Sequence, residues 1–353
     1  MNCCIECFCD VHIRSTITKK GTVGDCDYCS SKSVFVLDID DLSNPISELV
    51  TGLVQTYSVA TDAGAKPLQY ALRDDWDILS VGAETVLAIT KKLCAATYPE
   101  DAEVFSRNVV IEQLTDIDFL YEYGVVSGYS WERFAESIKY GNRFHSGMFN
   151  ADAFASFLSI IRKVCPAGSF MYRARISTDK NGFELDKMGA PPKEKRSAGR
   201  VNPDGIGVLY LSSDKETVLN EVRASAFDYV TIGRFRAKRD INVVNLSGVG
   251  KSSPFMYGNE FEKFAVNRRV FQEMADEIAK PLRRTDSSLE YLPTQFISEY
   301  IKSQNYDGVE FSSTLRQGGY NLAVFDESLF ECVDVETVEV SEVLYNTNPA
   351  FSK

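Results

Sequence analysis

Histidine is nearly missing from this chain: 353 residues hold only His12 and His145. Tryptophan is as scarce, at Trp76 and Trp131, and both read as core residues. No run of about 18 uncharged apolar residues occurs, so nothing reads as a membrane helix. The first residues, Met1-Asn2-Cys3-Cys4, lack a basic segment followed by an apolar run, the pattern of a secretory signal. The expected setting is the cytoplasm, where thiols stay reduced. Positive charge is short too, with a net charge of −12. An acidic protein repels a polyanion over long range, so nonspecific nucleic-acid binding is disfavoured. The deficit is uneven. Residues 165–326 carry 23 Lys/Arg against 21 Asp/Glu, leaving 15 and 29 elsewhere. A small anionic ligand held by a few placed arginines remains compatible with that balance.

Cysteine is what the chain has in excess. Six of its nine cysteines fall within the first 29 residues. Cys4-x-x-Cys7 and Cys26-x-x-Cys29 have the spacing of a four-thiolate zinc site, each pair presenting two sulfurs from one tight turn. Four thiolates leave no open coordination position, so the expected role is structural Zn²⁺. The metal would fold a segment too small to bury its own core. Cys3, Cys9 and His12 stand nearby as substitute ligands. The bland alternative is a cluster of free cysteines.

Residues 45–164 read as mostly helical. Trp131, Phe134, Ala135 and Ile138 share one helix face, and a second helix is expected over Ala153–Val164. Tyr98-Pro99 and Gly124 to Ser130 read as breaks. Past Pro166 the pattern changes to short strands alternating with helices. Strands are expected at Phe170–Ile176, Val208–Leu211, Tyr229–Phe235, Ile241–Leu246, Val309–Phe311 and Asn321–Phe325. Helices are expected near Lys215–Ala226, Gly258–Ile278 and Thr294–Ser303. Ser213 with Glu216 reads as a capping box for the first of these helices. The fold class expected for the whole chain is α+β. The expected division is a zinc-binding segment at 1–44, a helical domain at 45–164, a mixed α/β domain at 165–340 and a tail at 341–353.

Four stretches of the C-terminal half carry chemistry. In Met171-Tyr172-Arg173-Ala174-Arg175, arginines on alternate strand positions face one way, and a guanidinium fork suits phosphate oxygens. The commoner fate of such arginines is an exposed stripe paired with acids. Gly199-Arg200-Val201-Asn202-Pro203 follows a Gly/Pro-rich basic loop, from which Arg200 could reach a phosphate; a solvated loop is the plainer reading. In Val208-Leu209-Tyr210-Leu211, residues alternate along a strand. Glu221 then falls among apolar helix positions, and a carboxylate near a buried face needs a reason. Stabilising positive charge on a ribose would be one; a salt bridge to Arg223 or Arg173 would be another. Last come Asp307-Gly308, then Phe311-Ser312-Ser313 and Gly318-Gly319-Tyr320-Asn321, a strand running into a polar rim.

In this order, together with Tyr291-Leu292-Pro293-Thr294-Gln295, these segments resemble the RES family, over a little under half of the chain. The resemblance implies a fold like that of mono-ADP-ribosyltransferases and an enzyme that breaks the nicotinamide–ribose bond of NAD⁺ by phosphorolysis or hydrolysis. Phosphate or water would be the acceptor. It implies Arg173 and Arg200 on the pyrophosphate, Tyr210 stacked on nicotinamide and Glu221 at the ribose. Tyr172, Arg175 and Asn321 would also bind substrate. The family serine follows an aromatic-Pro pair. Here Ser312 replaces the proline, so Ser313 is the catalytic candidate and Ser312 a substrate-binding one. Many relatives are bacterial toxins of toxin–antitoxin pairs, which implies an antitoxin or immunity protein as partner. The N-terminal part resembles a zinc and HEPN-like module that precedes RES domains in some bacterial proteins. An RNase-type HEPN domain would place Arg four to six residues before its His. Arg143 lies two before His145, so no nuclease activity is expected. The rival readings are a mono-ADP-ribosyltransferase that modifies a protein, and a zinc-ribbon binding module with an inactive RES half.

Overall fold

Alternation of apolar and polar residues along short segments builds the largest element, an eight-stranded sheet. The computed structural model describes residues 1–41, 43–61, 64–258, 260–281 and 286–344. Helices and strands mix throughout, so the α+β expectation holds. The contacts divide the chain into two units, 1–128 with 251–269, and 129–250 with 270–353.

In the first unit, β1 (Asn2–Cys4), β2 (Thr22–Gly24) and β3 (Val34–Asp38) form an antiparallel sheet in the order β1-β3-β2. Helix α1 (Val11–Lys20) starts at Asp10, whose carboxylate accepts from the His12 and Ile13 amides. Helix α2 (Pro45–Gln55) starts at Asn44 with proline in its first turn, where a missing N–H costs nothing. Residues expected to be mostly helical also contain strands. β4 (Ser58–Val59) and β5 (Lys66–Pro67) pair with β6 (Asn108–Val110) around α3 (Leu68–Asp75) and α4 (Ala83–Leu93). α5 (Ile117–Tyr123) follows. Trp76 is buried, stacked on Phe264 and edge-on to Phe261.

The second unit opens with α6 (Trp131–Tyr140) and α7 (Ala151–Leu158). Trp131, Phe134, Ala135 and Ile138 are all buried, as their spacing predicts. The expected division at 164/165 is not where contacts part. Phe149 packs on Phe296 and Tyr300, and Phe154 on Phe271, so these helices share a core with residues far along the chain. α7 also stops at Leu158, short of the expected Val164. Arg162–Cys165 instead forms β7, because those residues pair with a later strand.

The sheet continues with β8 (Phe170–Ser177), β9 (Leu209–Ser212), β10 (Tyr229–Ala237) and β11 (Ile241–Asn245), with α8 (Lys215–Glu221) between β9 and β10. After α9 (Phe261–Ala279) and α10 (Leu292–Ser303) come β12 (Gly308–Ser312), β13 (Tyr320–Val324) and β14 (Phe330–Glu339). The strand order is β14-β10-β8-β9-β13-β12-β11-β7, with only the β11–β12 pair parallel. One face buries Met171, Leu209, Leu211, Phe235, Val243 and Leu322. The other buries Ala174, Val230 and Ile232 against Val218 of α8. One junction is thin: β8 meets β9 through Tyr172↔Ser212 alone, whereas β8 and β10 pair over eight positions. A sheet that parts there leaves side chains of both strands facing a gap.

Helix α8 departs from expectation at both ends. Its cap is Asp214, accepting from the Thr217 amide at 2.9 Å, while Ser213 donates to the Asp214 carboxylate. It ends at Glu221 rather than Ala226, because Arg223 and Phe227 take positive φ values of 52° and 72°. Burial alone would raise the Asp214 carboxyl. Hydrogen bonds from Ser213 and Thr217, with Arg316 beside it, pull it down to about 2. Its contribution is therefore present above the ordinary value of about 3.8 and lost as pH falls toward about 2. Asp214→Ala should cost about 1–2 kcal/mol at neutral pH. In urea denaturation that difference should shrink at pH near 2; an equal difference at both pH values would contradict it.

Candidate active site

The gap between β8 and β9 opens into a cavity of ≈ 270 Å³. It is lined by Arg173 of β8, Tyr210 and Ser212 of β9, Glu221 at the end of α8, Phe311 of β12 and Asn321 of β13, with Arg200 from a loop and Tyr291 from the short helical turn before Leu292.

Glu221 is held on both oxygens. Oε1 accepts from the Ser313 hydroxyl and the Asn321 amide, both at 2.8 Å, and Oε2 from Arg200 Nη2 at 3.4 Å. Ser313 and Asn321 are buried, and Asn321 Oδ1 accepts in turn from the Ser212 hydroxyl. The carboxylate is thus held from both sides, not loosely placed. The cation that pairs with Glu221 is Arg200.

Arg200 spends the rest of its guanidinium elsewhere. Nη1 donates to the carbonyl of Ala279 at 3.1 Å, at the C-terminal end of α9, and the group lies over the Phe311 ring. A cation there also suits the negative end of the helix dipole. Arg173 differs. Its Nη1 is buried with no hydrogen-bond partner. Burial, and then the nearby Arg175, push its guanidinium down to about 10, so it stays charged at neutral pH. Of the two arginines expected to hold a pyrophosphate, Arg173 is the one with donors to spare.

Tyr210 presents its ring to the cavity while its hydroxyl is engaged behind it. It donates to Asn202 Oδ1 at 2.8 Å and accepts from the Val201 amide. Asn202 in turn ties Ser197, Pro203 and Ile206 together. The start of α10 pins the same loop: Thr294 donates to the Arg200 carbonyl, and Gln295 to those of Gly199 and Asn202. The loop that reads as solvated is therefore anchored. Gly199 is needed, because a Cβ there would meet the Tyr210 hydroxyl at 2.6 Å. Asn202, Thr294 and Gln295 stood inside the motif segments, but nothing in the sequence showed which backbone groups they hold.

Three expected substrate-binding residues do not line this cavity. Arg175 lies over the Phe183 ring and donates to the Lys187 carbonyl. Tyr172 faces the other side of β8, beside Lys215 and Glu336. Ser312 alternates away from Phe311 on β12, while Ser313 is the serine that meets Glu221.

In the first unit, the sulfurs of Cys4, Cys7, Cys26 and Cys29 lie within 4.8 Å of one another. The Cys4–Cys7, Cys4–Cys29 and Cys7–Cys26 separations are 3.9, 3.4 and 3.6 Å. A zinc–thiolate bond of about 2.3 Å sets tetrahedral sulfur–sulfur edges of roughly 3.8 Å, so the cluster fits such an ion. Two of the three substitute ligands are otherwise engaged, and Cys3 is buried beside Cys7. Cys9 donates to the Asp77 carbonyl, and the His12 ring lies against Phe255.

Residues 171–346 match the RES domain family model. That segment is a RES domain. The match takes in Arg173, Arg200, Tyr210, Glu221, Ser313 and Asn321, the residues gathered at the parted sheet. Among solved structures, the chain is similar to one from the M. tuberculosis MbcT-MbcA toxin-antitoxin complex, at 13% identity and a TM-score of 0.32. That likeness covers 53% of this chain and 93% of that one. No curated protein matches the chain. No helix among the described residues is long and apolar enough to cross a membrane.

Proposed function

We propose that the RES domain degrades NAD⁺ by cleaving the nicotinamide–ribose bond, with water or phosphate as acceptor. In this reading the protein is a toxin or defence effector, restrained by a small antitoxin or immunity protein, and the four cysteines hold structural zinc. One observation carries the enzymatic part: a single cavity pairs a fixed carboxylate, Glu221, with the half-buried guanidinium of Arg173, whose Nη1 has no partner.

The chemistry asks for that pair. When the glycosidic bond breaks, its electrons pass to the nicotinamide nitrogen and neutralise the cationic ring. The ribose is left with positive charge at its anomeric carbon. Glu221 offers negative charge to it, held in place by Ser313, Asn321 and Arg200. Arg173 takes a phosphate oxygen, and Tyr210 offers its ring to nicotinamide. The acceptor oxygen then bonds to the anomeric carbon; water gives up a proton in doing so. Arg200 acts on Glu221 and the end of α9, so it positions the carboxylate rather than gripping phosphate.

Radiolabelled NAD⁺ separates this reading from its rival. Label on free ADP-ribose, or on its phosphorylated form when phosphate is supplied, is the expected result. Label on protein would favour a mono-ADP-ribosyltransferase. Arg173→Met offers a second check. Removing a half-buried charge whose Nη1 is unpartnered should raise stability by about 1 kcal/mol while weakening NAD⁺ binding. A variant that melts lower and binds NAD⁺ as the parent does would contradict the role given to Arg173.

A further inference from the structure

Two surfaces away from the candidate site expose apolar side chains that folding does not use. Helix α5 buries none of its seven residues. Phe119 and Tyr123 pack on each other at 4.7 Å, and Lys263 lies over the Tyr123 ring. The opposite face carries Ile117 and Tyr121, one turn apart and 80% and 66% exposed. Leu114, in the short turn before the helix, is exposed as well. Asp118 and Glu122 run beside this stripe, again one turn apart and exposed. Between Asn108 and Ser130 the chain has four carboxylates and no Lys or Arg. Apolar side chains grouped on a surface and rimmed by charge mark an interaction site.

The turn after α6 is the counterpart in charge. Tyr140 and Phe144 are 67% and 79% exposed. Arg143 and His145 flank Phe144 and are exposed too, and no acid occurs between Ser137 and Ala151. Local hydrogen bonds hold the turn in shape. The Asn142 side chain accepts from the His145 amide at 3.1 Å, and the Ser146 hydroxyl accepts from the Met148 amide at 3.3 Å. A knob already held in shape loses little conformational freedom on binding.

We propose that this turn of one copy docks on α5 of a second copy, with Tyr140 and Phe144 covering Ile117 and Tyr121, and Arg143 facing Asp118 and Glu122. Two covered rings bury about 150–250 Å² each. That is about half of the roughly 800 Å² per partner of a standard interface. The charges set the orientation, and they disfavour α5 meeting α5 or turn meeting turn. Because the two surfaces differ, the contact is head-to-tail. Each added copy leaves one of each open, which builds rings or open chains rather than a closed pair. Both surfaces precede residue 171, where the RES match begins, so assembly is independent of the chemistry at Glu221.

The test uses the full chain in sedimentation velocity from about 1 to about 100 µM, a range that covers weak association. The average mass should rise with concentration above that of one chain. Ile117→Ser and Phe144→Ser replace exposed side chains, and each should weaken assembly about 10-fold or more. An equimolar mixture of the two variants decides between interfaces. Each keeps the surface that the other lost, so the mixture should form pairs and stop there. If a serine variant misfolds, Arg143→Glu takes its place, and it too should weaken assembly. A parent chain that stays single at every concentration overturns the proposal. So does a folded variant that assembles like the parent, or a mixture that stays single while the parent assembles.

Discussion

Glu221→Gln should leave the fold intact and lower NAD⁺ turnover by about 10²–10³-fold, the usual cost of losing one preorganised electrostatic group. The substitution keeps the shape of the side chain, so Ser313 and Asn321 can still donate to an amide oxygen. What disappears is the negative charge beside the developing ribose cation. The amide nitrogen would also turn a donor toward Arg200, itself a donor. Ground-state binding should suffer less than turnover, because the carboxylate acts chiefly on charge that appears in the transition state. HPLC of released nicotinamide, beside a thermal melt, measures both halves of the expectation. Turnover like that of the parent in a folded variant would remove Glu221 from the mechanism.

The second large effect concerns the four cysteines. Structural zinc at such a site typically contributes about 10–16 kcal/mol of binding free energy, which is also folding free energy. The purified chain should therefore carry zinc by elemental analysis. Cys7→Ser should lose most of it, since Cys7 is fully buried and its sulfur lies 3.6 Å from that of Cys26. Chelation should make residues 1–41 sensitive to protease, because three short strands and one helix supply little core of their own. A chain without metal whose N-terminal segment resists protease equally with and without chelator would refute the assignment.

Much of the site can be read from residue order alone. Arg173, Tyr210, Glu221, Ser313 and Asn321 are spread over 149 positions, yet they line or border one cavity. Their motifs carry that proximity because each lies on, or directly after, a strand or helix that borders the parted sheet. What the sequence hides is mostly long-range. The single β8–β9 pairing leaves no local signal, since both strands alternate normally. Arg200 looks like a phosphate ligand until the end of α9 claims half of its guanidinium. Gln295 falls in a motif segment but with no role implied, although it holds two carbonyls of the loop before Tyr210. The packing of α6 and α7 into the RES unit depends on aromatic contacts such as Phe149 with Phe296, which no periodicity announces. At Asp214 the capping box failed for a local reason. The better acceptor stood one residue along, and Ser213 serves it as a donor.

The most direct test of the account is to incubate the purified chain with NAD⁺, with and without phosphate, and follow nicotinamide release by HPLC. The account predicts nicotinamide together with ADP-ribose or its phosphorylated form, with Glu221→Gln as the silent control. NAD⁺ that stays intact under both conditions, with a folded, metal-replete protein, would contradict it.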